Sequence, residues 1–152
     1  MVDRRLQFVL TGHKNHLDCV DWNAKGDALI SGGYDGKLFI WSAKDKFLLQ
    51  RWIDFGERIT FARFSRSGDL IALMNGKTGL VGVWSFPQLT KLWSRQEPID
   101  TGVASQLEWD LKGESFFVSG RAVTRITAKD SEVIRKMVRS ACSLREHLKS
   151  SM

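Results

Sequence analysis

The chain has 152 residues, 43% of them hydrophobic, with six Trp and nine Phe against one Tyr and a formal net charge of +6. This is enough apolar material for one ordinary core, which excludes a disordered or collagen-like chain. Two cysteines without framework spacing, no signal-peptide pattern and no bilayer-length apolar window point to an intracellular protein, of cytoplasm or nucleus, with no membrane partner.

In chain order, Leu6–Leu10 reads as a short leading strand, followed by Gly12-His13. Leu17–Trp22 then alternates apolar and polar residues, the mark of a half-buried strand. A Gly26-Asp27 turn leads into a second apolar run, Asp35-Gly36 makes another turn, and Lys37–Trp41 and Phe47–Trp52 follow as strands. The same order returns with Ile59–Phe64, the Gly68-Asp69 turn, Leu80–Trp84 and Leu89–Trp93. It returns again with Ala104–Trp109, the Gly113-Glu114 turn and Val123–Thr127. The Gly-acid turns are 42 and 45 residues apart, and the third strands are 43 residues apart twice. Three landmarks sharing one period of roughly 43 residues predict radial repetition of a four-stranded unit.

The predicted architecture is all-β: a partial propeller of about three four-stranded blades. Repeats occupy residues 1–138, in units of about 11–53, 54–94 and 95–138, with 6–10 as a leading outer strand. Residues 132–138 align with the fourth strand of the first unit. Residues 139–152 form a basic tail, a helix or the start of a further blade. Three units leave a sheet edge open at each end, which native proteins usually cover. Closure of the ring therefore calls for a second copy, another chain or further repeats.

The first unit, Gly12-His13 through Ser31-Gly-Gly-Tyr-Asp35-Gly to Ile40-Trp41-Ser42, resembles the WD-repeat (β-transducin-like) propeller family. The resemblance implies a buried hydrogen-bond chain among His13, Ser31, Asp35 and Trp41. In the second unit Trp84 persists, Leu73 or Ala72 stands where Ser is expected, and Lys77 or Thr78 lies near the Asp position. The third keeps Ser119-Gly120 without the His, Asp or Trp. The family also implies a non-catalytic scaffold that binds other proteins within a multiprotein complex. Contact residues are then expected on the turns, with Lys14, Asn15, Tyr34, Lys37 and Lys77 as candidates.

Other chemistry is weaker. His13, His16 and Cys19 are spaced like part of a metal site, but no second ligand pair follows as zinc spacing requires, so no metal or cofactor is expected. Gly76-Lys77-Thr78 lacks the upstream glycine of a phosphate loop, position 71 being Ile, and lies between two strands rather than before a helix. No nucleophile–base pattern marks an enzyme. An alternative reading is an RNA- or DNA-associated factor, with Arg135, Lys136 and Arg139 contacting nucleic acid. Residues 129–152 carry six Lys/Arg against three Asp/Glu, half of the chain's surplus, and basic residues beside aromatics suit single strands. A further alternative is a truncated propeller without independent function.

Overall fold

The computed structural model describes residues 8–97, 106–119 and 123–128. Blade 1 is the antiparallel sheet β1 (Leu17–Trp22), β2 (Ala28–Gly33), β3 (Lys37–Ser42) and β4 (Leu48–Asp54), in spatial order β1-β2-β3-β4. Blade 2 repeats it with β5 (Phe61–Phe64), β6 (Leu70–Met74), β7 (Leu80–Ser85) and β8 (Lys91–Gln96). The third sheet contains β9 (Gln106–Trp109), β10 (Ser115–Ser119) and β11 (Val123–Thr127) among the described residues. The predicted all-β blades are thus present. The fourth strand expected at 132–138 and the tail at 139–152 lie outside the described residues.

The first hairpin of every blade is closed by one device that the repeat alignment did not single out. Asn23 Oδ1 accepts the Asp27 and Ala28 amides, Ser65 Oγ accepts the Leu70 amide, and Asp110 Oδ1 accepts the Glu114 amide. The three positions are 42 and 45 residues apart, so a short side-chain oxygen is what the turn requires, not one residue type. A second shared feature is a register shift between β3 and β4 beside Trp41, matched between β7 and β8 beside Trp84.

Several strand ends differ from the sequence expectation. Strand β4 begins at Leu48 and β8 at Lys91 because Phe47 and Leu89 adopt φ of 60° and 61°, left-handed conformations that belong to a turn rather than a ladder. Strand β5 begins at Phe61 because the Ile59 amide instead donates to Gly33 O of blade 1, at 2.9 Å. Residues 8–10 form no strand, since no described segment offers them a ladder; 6 and 7 lie outside the described residues.

Blades stack through two apolar layers. Ala28, Ile30, Leu38 and Ile40 of blade 1 meet Ala62, Phe64, Ile71, Leu73 and Trp84 of blade 2. The opposite face of blade 2, built from Ala72, Met74, Val81 and Val83, meets Leu107, Phe116, Val118 and Ile126. Period-two alternation makes this possible, because each central strand shows one row of side chains to each neighbour. Cys19 sits in the first layer, where burial pushes its thiol up to about 12, which keeps it protonated and inert.

Candidate functional site

The structure brings His13, Ser31, Asp35 and Trp41 together on the face of blade 1 turned away from blade 2. Ser31 and Trp41 lie on adjacent strands with their side chains on one side. His13 comes from the segment before β1 and Asp35 from the β2–β3 turn. The indole Nε1–H of Trp41 donates to Ser31 Oγ at 2.9 Å, and Ser31 Oγ lies 2.8 Å from His13 Nε2. His13 Nδ1 faces Asp35 at 2.9 Å. One proton arrangement satisfies all four: Nδ1–H donates to the carboxylate, and Nε2 accepts the Ser31 hydroxyl proton. The His13 ring also stacks on Phe39, with centroids 4.1 Å apart.

Asp35 does more than end this chain. Its carboxylate accepts the backbone amides of Lys14 at 3.1 Å and Lys37 at 3.2 Å, tying the segment before β1 to the start of β3. Burial works against the charged form, but those amides and the His13 ring outweigh it and hold the carboxyl below its ordinary range. Gly36 completes the turn at a φ of 72°, and a Cβ there would lie 3.3 Å from Glu57 O. The left-handed backbone favours glycine here, and the tight approach of Glu57 adds to that preference.

A Ser–His–Asp sequence of contacts invites comparison with a hydrolase, but this serine cannot act as a nucleophile. Ser31 is buried, and its oxygen is already engaged by the Trp41 indole. A nucleophile needs a free lone pair aimed at accessible space. The constellation is a structural brace. Nor do His13, His16 and Cys19 converge on a metal. His13 is committed to Asp35, exposed His16 packs edge-on to Tyr34, and the Cys19 thiol points to Gly32 O. Among the described residues no group of three His, Cys, Asp or Glu is placed to hold an ion.

Blade 2 uses different chemistry at the same positions. Strand register places Leu73 at the Ser31 position and Gly82 at the Phe39 position. The Trp84 ring fills the space over Gly82, where a Cβ would lie 2.4 Å from the indole. Glu57, which sequence reasoning missed, follows Gly56 much as His13 follows Gly12. Its carboxylate accepts from Thr78 Oγ1 at 2.7 Å and Asn75 Nδ2 at 2.9 Å. Asn75 Oδ1 in turn accepts the amides of Lys77 and Thr78. Counting back from β7 to Gly79 (φ 80°), the counterpart of Gly36, identifies Thr78 as the residue in the Asp35 place.

The candidate contact residues lie around these braced turns. Lys14 and Asn15 are exposed beside His13, although the Asn15 side chain accepts the His16 amide at 2.8 Å. Tyr34 is exposed at the β2–β3 turn, with the Arg58 guanidinium 3.7 Å from its ring centroid. Arg58 is held in turn by Asp18 at 2.6 Å. Lys77 is exposed on the corresponding turn of blade 2. Lys37 is turned aside: its ammonium lies 3.8 Å from the Trp52 ring centroid and 3.9 Å from Asp54. Arg58 and Asp18 carry no repeat signature, and only the approach of the β4–β5 connection to Tyr34 reveals them. Arg135, Lys136 and Arg139 lie outside the described residues. Of the other basic residues, Arg63 and Arg125 stand 3.9 Å and 3.8 Å from Glu108 and Asp110.

The family model "WD domain, G-beta repeat" matches residues 4–42, the segment that carries the whole polar brace. Human "Angio-associated migratory cell protein" is 31% identical over 108 residues, covering 70% of this chain and 23% of that protein. "Periodic tryptophan protein 2" of Saccharomyces cerevisiae is 29% identical over 79 residues, 52% of this chain and 8% of that one. The chain thus spans less than a quarter of the length of these relatives. Two solved structures, "Structure of U3-55K" and "Crystal structure of RRP9 WD40 repeats", superpose with TM-scores of 0.72 each, at 16% and 17% identity. Each match covers 82% of this chain and 39% of the other, a likeness of fold. With blades, brace and family model in agreement, the chain belongs to the WD-repeat family.

Proposed function

We propose that the chain acts as a non-catalytic docking platform for other proteins, engaged through the turn face of blades 1 and 2. The observation that supports this most is Tyr34. It is a large aromatic side chain held at the surface, with Arg58 stacked on its ring and His16 against its edge. Rigid aromatics with an amphipathic rim supply contact area at low entropic cost, and Tyr and Arg are enriched where binding energy concentrates. The loops around it are fixed by Asp35 and Glu57, so little ordering remains for association to offset. Lys14 and Lys77 flank this patch with exposed charge and would contribute mainly to encounter rate and partner choice.

The test is affinity purification with quantitative mass spectrometry, using wild-type chain and the variants Tyr34→Ala, Lys14→Glu and Lys77→Glu, each verified as folded by circular dichroism. The expected outcome is one common set of proteins depleted by Tyr34→Ala and reduced by the lysine reversals. Identical recovery by all four chains would sink the proposal.

A further inference from the structure

The turns braced by Asp35 and Glu57 form one continuous strip across blades 1 and 2. Asp35 accepts the Lys14 amide and directly follows Tyr34, whose ring lies under the Arg58 guanidinium. Glu57, next to Arg58, accepts from the Thr78 hydroxyl, and Thr78 adjoins Lys77. The strip thus has Tyr34 and Arg58 at its centre and an exposed lysine at each end.

Its hydrogen-bonding capacity is one-sided. The carboxylates along it already have partners inside the protein. Asp18 holds Arg58, and Asp35 holds His13 and two backbone amides. Asp54 accepts the Gly56 amide at 2.9 Å and faces Lys37, while Glu57 holds Asn75 and Thr78. The donors stand differently. Among the described residues the Lys14 and Lys77 ammonium groups make no ion pair, and the Tyr34 hydroxyl makes no hydrogen bond. Arg58 commits its Nε–H to Asp18, and its Nη groups have no acceptor among the described residues. What the strip still offers a partner is positive charge and hydrogen-bond donors, which answer to anionic oxygen.

Carboxylates and phosphates both carry such oxygen, and the aromatic content chooses between them. A single nucleic-acid strand binds where successive bases find open aromatic faces beside the charges. Between its two lysines this strip has one exposed ring, and Arg58 already occupies one face of it. A peptide needs no stacking platform. Its carboxylates can meet the cations while its backbone and side-chain stems cover Tyr34.

Resting on the turn-face docking proposed above, we infer that this strip recognises an acidic segment of the partner protein, with Asp or Glu carboxylates paired to Lys14 and Lys77 at its ends and to Arg58 at its centre. Tyr34 supplies contact area, and the three cations select the sign of the partner's charge.

The experiment selects peptides from a random library displayed on phage, using the immobilised full chain and folded variants of it. Asp and Glu should be enriched on the wild type, and that enrichment should vanish on Lys14→Glu combined with Lys77→Glu. The most enriched peptide, synthesised and labelled, should bind the double variant about tenfold more weakly in fluorescence anisotropy. Lys91→Glu, the same change of charge on the outer strand β8, should leave its affinity unchanged. Selection of no peptide, selection without an acidic excess, or an equal loss with Lys91→Glu would overturn the inference. An oligouridylate bound more tightly than the acidic peptide, with the same dependence on the two lysines, would overturn it in favour of nucleic acid. Tyr34→Ala separates this inference from the docking platform itself. Peptides that need Tyr34 but carry no acidic excess leave the platform standing and remove the acidic partner, whereas peptides indifferent to Tyr34 and to both lysines remove both.

Discussion

Blades 1 and 2 share strand order, hairpin closure and the register shift beside their tryptophans, but they fix those tryptophans by opposite means. In blade 1 the Trp41 indole is wired through Ser31 and His13 to Asp35. In blade 2 the Trp84 ring lies over Gly82 and against Phe55, and Leu73 stands where Ser31 would be. The polar solution adds direction and ties turns together. It also commits four groups that must all be satisfied, because a buried polar network with one member missing is worse than an apolar core. The apolar solution needs only shape. The repeat is a backbone plan that accepts either filling.

The most damaging way to test this contrast is Leu73→Ser. The site is fully buried, so the change leaves a cavity and a hydroxyl without the His13–Asp35 partners of blade 1. The expected loss is about 4 kcal/mol, read from urea unfolding midpoints. A loss below about 1 kcal/mol would mean that Trp84 recruits the hydroxyl and that the polar wiring is portable between blades.

Asp35→Ala comes next. It strips the acceptor from the Lys14 and Lys37 amides and from His13, at an expected cost of about 2–3 kcal/mol in the same assay. Its counterpart Thr78→Val should cost about 0.5–1 kcal/mol, since that hydroxyl is exposed and the Asn75 carbonyl still holds the turn. Equal costs at the two positions would erase the distinction between the blades.

Acid sharpens the same point. The Asp35 carboxyl titrates below the ordinary aspartate value. The stability it contributes is therefore complete above that value and disappears as the pH falls through the lower, folded-state pKa. Asp35→Asn should flatten this acid limb in a pH series of urea melts, whereas Thr78→Val should leave it unchanged. The smallest effect is expected at the surface: Lys14→Ala and Lys77→Ala should each shift stability by less than about 0.5 kcal/mol. Larger shifts would show that these lysines belong to the frame rather than to a contact surface.

Much of this molecule could be read from its residues. Strands β1, β3, β7 and β11 match the predicted spans, apart from small differences at their ends, because period-two alternation between turn residues leaves little freedom. The members of the blade 1 brace were also legible, since each is a distinctive polar residue at a fixed spacing. Blade 2 was harder. Leu73 or Ala72, and Lys77 or Thr78, are equivalent choices in the sequence; cross-strand pairing decides for Leu73, and the left-handed Gly79 just before β7 decides for Thr78. Glu57 escaped notice because a carboxylate replaced a histidine, keeping the role while changing the letter. Asn23, Ser65 and Asp110 escaped for the same reason.

The repeat, the all-β class and the polar residues that brace the first blade follow from the order of residues along the chain. These depend on local periodicity and on side chains a fixed distance apart along the chain. Tertiary structure alone decided which surfaces face a neighbour. Trp22 and Phe64 look equivalent in the repeat, yet one is exposed and the other buried, because burial depends on the adjacent blade and not on the strand that carries the residue. Tyr34 likewise becomes a supported surface aromatic only when the chain brings Arg58 over it from the next blade's approach. Such contacts join segments far apart in sequence and follow no period.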